Sequence, residues 1–144
     1  MPSPKPADVR YYVDADMLGL GKLLASLRPD VTYPGDLGAV VHRRARPPCA
    51  VSSPRAKDTE WIPIVSRQGL LVLTRDRHIQ QHAAELEAVK AVNGWMVARS
   101  STDAGTTWGQ LEVVITQWRQ IEALLDVAGP FVYSVSRTVL AKLL

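Results

Sequence analysis

Cysteine is nearly absent. Cys49 is the single one, so no intrachain disulfide can form and no cysteine-based zinc site can be built. That favours a reducing, cytoplasmic setting. Long apolar runs are also missing. No uninterrupted run approaches 18 residues, so no transmembrane helix is expected. Met1-Pro2-Ser3-Pro4-Lys5-Pro6 lacks the apolar core of a signal peptide and reads as part of a disordered lead over residues 1–8. Length excludes more. The chain has 144 residues, and at the usual allotment of about 100–200 per domain they fit one domain, residues 9–144. A two-domain dehydrogenase, a kinase and a (β/α)8 barrel of about 250 residues are too large. No internal repeat is visible. Apolar residues make up 47% and charged ones 22%, the composition of a globular chain that can bury its own core.

Acid is missing from one long stretch. The formal net charge is only +3, but residues 37–57 contain Arg43, Arg44, Arg46, Arg55 and Lys57 and no Asp or Glu. Pro47, Pro48 and Pro54 lie in the same stretch. The composition predicts an extended basic loop rather than a helix or strand. Such a loop is either a solvated segment or a phosphate-binding strip for nucleic acid.

What is present alternates between two periods. Val9-Arg10-Tyr11-Tyr12-Val13 reads as a first strand. Leu20, Leu23, Leu24 and Leu27 predict a helix over 16–28, ended by Pro29. A short strand over 30–33 and the turn Pro34-Gly35-Asp36 follow. After the basic stretch, a helix is expected over 59–67 with Gly69 as its stop. Leu70-Leu71-Val72-Leu73-Thr74 is a continuous apolar run, the mark of a strand buried on both faces. Further on come a helical stripe (Ile79, Ala83, Leu86, Val89), a strand over 95–98, a polar loop, one long amphipathic helix over 111–125 and a last strand over 131–135. Alternating strands and helices predict an α/β three-layer sandwich with a mostly parallel central sheet. In such sheets ligands bind beyond the carboxyl ends of the strands.

Carboxylates stand at those ends. Asp14-Ala15-Asp16 follows the first strand, Asp76 follows the strongest one, and Asp58-Thr59-Glu60 opens a helix between them. Clustered carboxylates repel and raise one another's pKa, and Mg2+ or Mn2+ suits an all-oxygen donor set. Singly, Asp16, Asp58 and Asp76 could each be helix N-caps. Asp14 is different, because a carboxylate at a buried strand end is costly without a partner. Pro63 predicts that the regular helix starts nearer Trp61 and leaves Asp58 and Glu60 in an irregular entry. His42, His78 and His82 lack zinc spacing. The four tryptophans read mainly as core, with base stacking as the alternative.

Tyr12-Val13-Asp14-Ala15-Asp16-Met17-Leu18, Lys57-Asp58-Thr59-Glu60-Trp61-Ile62-Pro63 and Val72-Leu73-Thr74-Arg75-Asp76-Arg77-His78-Ile79 together resemble the acidic motifs of PIN-like domains. The branch most similar is the one grouped with VapC-type toxins. Trp108-Gly109-Gln110 and the helix carrying Trp118 extend the resemblance. Relatives often have Asp-Glu-Asn at the first motif; here Asp16 replaces the amide and is a candidate extra ligand. Asp103 is the candidate for a fourth acid. The resemblance implies a Mg2+- or Mn2+-dependent ribonuclease, the toxin of a toxin–antitoxin pair, with an antitoxin protein and a second copy as partners and no membrane. On that reading Asp14 and Asp76 hold the metal. Asp58 or Glu60 completes the shell or orients water, and Thr74 adds a hydroxyl contact. Arg43, Arg44, Arg46, Arg75 and Arg77 would hold RNA phosphates. Two alternatives stay open at the level of sequence. One is a PIN-like module that binds RNA or protein without hydrolysis. The other is a haloacid-dehalogenase-type phosphatase built on Asp14-Ala15-Asp16, although only Lys90 and Lys142 lie beyond Lys57 and no adjacent acid pair follows Asp76. A phosphate-receiver domain would also need a lysine after its late strands, but the strand over 95–98 leads into Arg99-Ser100.

Overall fold

The computed structural model describes residues 3–75, 105–127 and 131–142 in full and residues 94–98 by their backbone. The expected helix over Ile79, Ala83, Leu86 and Val89 lies outside the described residues, as do Asp76, Arg77, His78, His82 and Asp103.

Tyr11–Val13 forms β2 and Leu71–Thr74 forms β6, and all seven of their residues are buried. They pair in parallel with Val13 opposite Leu73. Val31–Thr32 (β3) flanks β2 on the other side. Gly94–Ala98 (β7) and Val132–Val135 (β8) continue the parallel pairing beyond β6. The tail adds Leu140–Lys142 (β9), antiparallel to β8. The six-stranded sheet therefore runs β3-β2-β6-β7-β8-β9. The result is a mixed α/β fold whose central sheet is parallel except at one edge. Strand order turns round between β2 and β6, because the chain leaves β2 toward β3 and later returns on the opposite side. In open α/β sheets such a reversal opens a crevice at the carboxyl ends.

The period-2 alternation of the strands divides the core in two. Tyr11, Val13, Leu71 and Leu73 pack with Leu20 and Leu24 of α1 (Leu18–Leu27), with Val113 and Val114 of α3 (Thr107–Thr116), and with Ile121 of α4 (Trp118–Ala123). Tyr12, Val72 and Val132 pack instead with Trp61, Ile62 and Val65 of α2 (Asp58–Arg67). Each fully buried Leu, Val or Ile stabilises by about 1.5–3 kcal/mol.

Several expected elements differ in detail. On α1 the buried stripe is Leu20, Gly21, Leu24 and Ala25, while Leu23 and Leu27 are exposed. The α2 helix starts at Asp58, not nearer Trp61: the Glu60 and Trp61 amides both donate to the Lys57 carbonyl at 2.8 and 3.0 Å. Pro63 is accommodated inside α2. Gly69, at φ +66°, turns the chain out of α2 as expected. The long helix is in fact two, broken at Gln117. Gln117 is buried, and its side-chain amide donates to the carbonyls of Ser136 and Arg137 at 3.1 and 3.2 Å.

The basic stretch corrects the sequence reading most. Ala39–Val41 (β4) and Arg44–Arg46 (β5) form a hairpin closed by two residues, His42 and Arg43. The three prolines all fall after Arg46, so they never meet the ladder. Lys5–Pro6, expected within the disordered lead, forms β1 and pairs in parallel with β5. Proline is tolerated on such an edge. Gly38, at φ +83°, leads into β4, and a Cβ there would collide with the Arg46 carbonyl.

One ion pair fixes the hairpin. Arg46 donates to Asp36 at 2.7 Å, and both side chains are buried. Arg46 also donates to the carbonyls of Ala25 and Arg28 at the end of α1. Asp36 accepts from the Thr32 hydroxyl and the Gly38 amide, both at 2.9 Å. Arg46 is therefore a structural residue. Its guanidinium is fully engaged inside the protein and cannot hold a phosphate.

Candidate active site

Parallel pairing of β2 with β6 sets the site. The Asp14 amide donates to the Leu73 carbonyl at 2.9 Å, continuing the ladder one step past β2. Asp14, just after β2, and Thr74, the last residue of β6, are thereby neighbours. Thr74 is completely buried. Its hydroxyl lies 3.1 Å from Asp14 Oδ2 and 3.0 Å from Asp16 Oδ2, within donating reach of both carboxylates. The Arg75 amide donates to Asp16 Oδ2 at 3.1 Å. Asp14 also caps the short 3-10 turn Ala15–Met17, its Oδ1 accepting from the Ala15 amide. A tight turn after β2 thus folds Asp16 back beside Asp14.

These contacts do not offset the crowding. The Asp14 carboxyl is pushed up from 3.8 to about 7. Burial is the main cause, Asp16 adds like-charge repulsion, and Asp58 adds a smaller share. The Ala15 amide and the Thr74 hydroxyl pull the other way. A half-buried carboxyl that titrates near neutrality beside a second acid marks a functional site more often than a structural one.

Asp58 reaches this neighbourhood from α2. Its Oδ1 accepts from the indole N–H of Trp61 at 3.0 Å. Trp61 stacks on Tyr12 with ring centroids 5.2 Å apart, and Tyr12 immediately precedes Val13 and Asp14. The same acids, with burial the largest cause, push the Tyr12 hydroxyl well above its ordinary value. Composition and spacing did not show this stack; the adjacency of Tyr12 to the motif was the available signal. Glu60 does not share the position. It is exposed, and residues two apart on a helix point to different sides, so the face that brings Asp58 inward turns Glu60 away.

The arginines separate. Arg75 stands beside the acids. Arg43 and Arg44 do not: the hairpin turn lies at the far end of α1, where His42 Nε2 is 3.1 Å from the Leu27 carbonyl. Ten residues of α1 put that end about 15 Å from Leu18. Trp61 is buried in the core and Trp108 is 70% exposed. Trp118 packs on Tyr11, centroids 4.9 Å apart.

The donor set is oxygen only, carboxylates and one hydroxyl, and its chemistry fits a hard divalent cation. Among the described residues, however, no three His, Cys, Asp or Glu side chains are grouped closely enough to hold a metal ion.

A family model described as a PIN like domain matches residues 10–101, a span that holds β2, α1, α2 and β6 with all three acidic motifs. The chain belongs to the PIN-like family. No curated protein and no solved structure matches it. PIN-like domains are commonly nucleases, and Asp14 and Asp16 of this PIN-like protein lie at the carboxyl end of β2, beside β6, where the strand order turns round. Among the described residues no helix is long and apolar enough to cross a membrane.

Proposed function

We propose that this PIN-like protein is a metal-dependent endoribonuclease and the toxin of a toxin–antitoxin pair, acting in the cytoplasm. Its partners are then RNA, a cognate antitoxin protein and a second copy of itself. The helices on both faces of the sheet support a three-layer α/β/α sandwich. The observation that carries the reading is the Asp14–Asp16–Thr74 cluster at the carboxyl ends of β2 and β6, where burial and repulsion hold the Asp14 carboxyl near neutrality.

In this reading Asp14, Asp58 and Asp76 hold Mg2+ or Mn2+, and Asp16 lends a further oxygen. When bound, the cation polarises a phosphoryl oxygen and lowers the pKa of the attacking water. The chain supplies the rest. Thr74 fixes the orientation of Asp14 and Asp16. Trp61 holds one oxygen of Asp58 by its indole N–H. Arg75, at the rim, is placed to draw the RNA strand in by its phosphates.

Cleavage of a structured RNA tests this. The wild-type chain is expected to cut with Mg2+ or Mn2+ and to stop with EDTA. Asp14→Asn is expected to lose activity by about 100-fold or more, beyond the loss usual for an outer-sphere residue. RNA binding without any metal-dependent cleavage would favour a non-catalytic module. Equal cleavage by the variant would remove the site.

A further inference from the structure

The β4–β5 hairpin carries a second set of cations that the acid site does not use. Lys5, His42, Arg43 and Arg44 line one shallow depression with Ser3, Pro4 and Val40, and no acid lines it. Lys5, Arg43 and Arg44 are exposed and make no ion pair among the described residues.

The backbone at the turn is the second observation. His42 and Arg43 are the only described non-glycine residues at positive φ, +48° and +62°. A two-residue hairpin of this kind normally takes Asn-Gly or a similar pair. A bulky residue in the left-handed region costs roughly 1 kcal/mol or more. This chain keeps an imidazole and a long guanidinium side chain there instead, and the Arg46–Asp36 pair anchors the hairpin beneath them. The tip is a rigid cationic prong, a feature that solubility does not require.

We propose that this prong is a second RNA contact, remote from the acid crevice, in which Lys5, Arg43 and Arg44 hold the phosphate backbone. The proposal rests on the ribonuclease reading for its substrate. No Phe, Tyr or Trp lines the depression, and its lysine and arginines are point and fork charges suited to phosphates, so the contact is to backbone rather than sequence. Guanidinium forks match phosphate geometry better than a lone ammonium does. The offset of about 15 Å is longer than a single phosphodiester step. A strand reaching both sites must therefore be longer than a dinucleotide.

The test measures binding of a labelled 20-nucleotide RNA by anisotropy in EDTA, so that cleavage plays no part. Arg43→Gly relieves the backbone strain and is expected to raise Tm while weakening RNA binding. Loss of affinity in a more stable protein cannot be a folding defect. Arg43→Glu with Arg44→Glu is expected to weaken binding at least tenfold at low salt and to flatten the salt dependence by about 0.7 per lost contact. A control pair, Arg119→Glu with Lys142→Glu, changes net charge equally and is expected to have much less effect. Equal losses in both pairs would reduce the site to net charge and overturn the proposal. So would unchanged binding in Arg43→Gly and the double variant. Polyglutamate binding as tightly as RNA, and lost in the same variants, would overturn it in favour of an acidic protein partner. If the chain binds RNA through the prong but never cuts it, the ribonuclease reading fails and the prong stands.

Discussion

Truncating Asp36 to alanine is expected to destabilise the protein by about 3–5 kcal/mol, the range for breaking a buried ion pair at one partner. For a chain of this size that lowers Tm by roughly 6–20 °C. The cause is what stays behind. Arg46 is 3% exposed and Asp36 2%, so removing the carboxylate leaves a guanidinium out of water with only the Ala25 and Arg28 carbonyls. The Thr32 hydroxyl and the Gly38 amide lose their acceptor as well. Arg46→Met combined with Asp36→Leu is expected to recover much of the loss, because an apolar pair leaves no charge unmatched. High salt is expected to change the wild-type stability little at this site, since buried pairs are poorly screened. Thermal unfolding of Asp36→Ala, of the double variant, and of the wild type at low and high salt checks all three statements. A loss under about 1 kcal/mol for Asp36→Ala would place the pair at the surface.

Asp14→Asn is expected to act in the opposite direction. Folding raises the Asp14 carboxyl from 3.8 to about 7, so between those pH values the folded chain binds the proton and the unfolded chain releases it. The contribution of Asp14 to stability is fully present below about pH 4. It is lost as pH rises through about 7. Asparagine does not titrate and keeps the Oδ1 acceptor for the Ala15 amide. In EDTA at pH 8 the variant is therefore expected to be more stable by about 2–4 kcal/mol, or roughly 5–15 °C in Tm. At pH 4 the two are expected to unfold together. Melting curves across that pH range decide it; a variant less stable at pH 8 would mean that Asp14 is held as a favourable anion.

The parts of the fold that chemistry writes locally were legible. The apolar run at Leu71–Thr74 needs burial on both faces, and the sheet supplies it. Asp14 and Asp16 were legible as candidates because they follow a strand directly. Distant partners were not legible. Nothing near Arg46 announces that Asp36 takes its charge, so Arg46 read as surface. The prolines of the basic stretch counted against strands, yet all three sit beyond the hairpin. The break at Gln117 has no helix-breaking residue; it comes from an anchor to the segment after β8, which helical periodicity cannot register. The convergence of Asp58 with Asp14 depends on the seat of Trp61 against Tyr12, a packing choice between elements nearly fifty positions apart.

Mn2+ binding tests the central claim most directly. Titration followed by electron paramagnetic resonance at pH 8, where Asp14 is mostly ionised, is expected to show a bound ion on the wild-type chain. Asp14→Asn is expected to weaken that binding by at least about tenfold, with no loss of thermal stability in EDTA. Equal Mn2+ affinity in the two proteins would contradict the account, because the acid between β2 and β6 would then hold no cation.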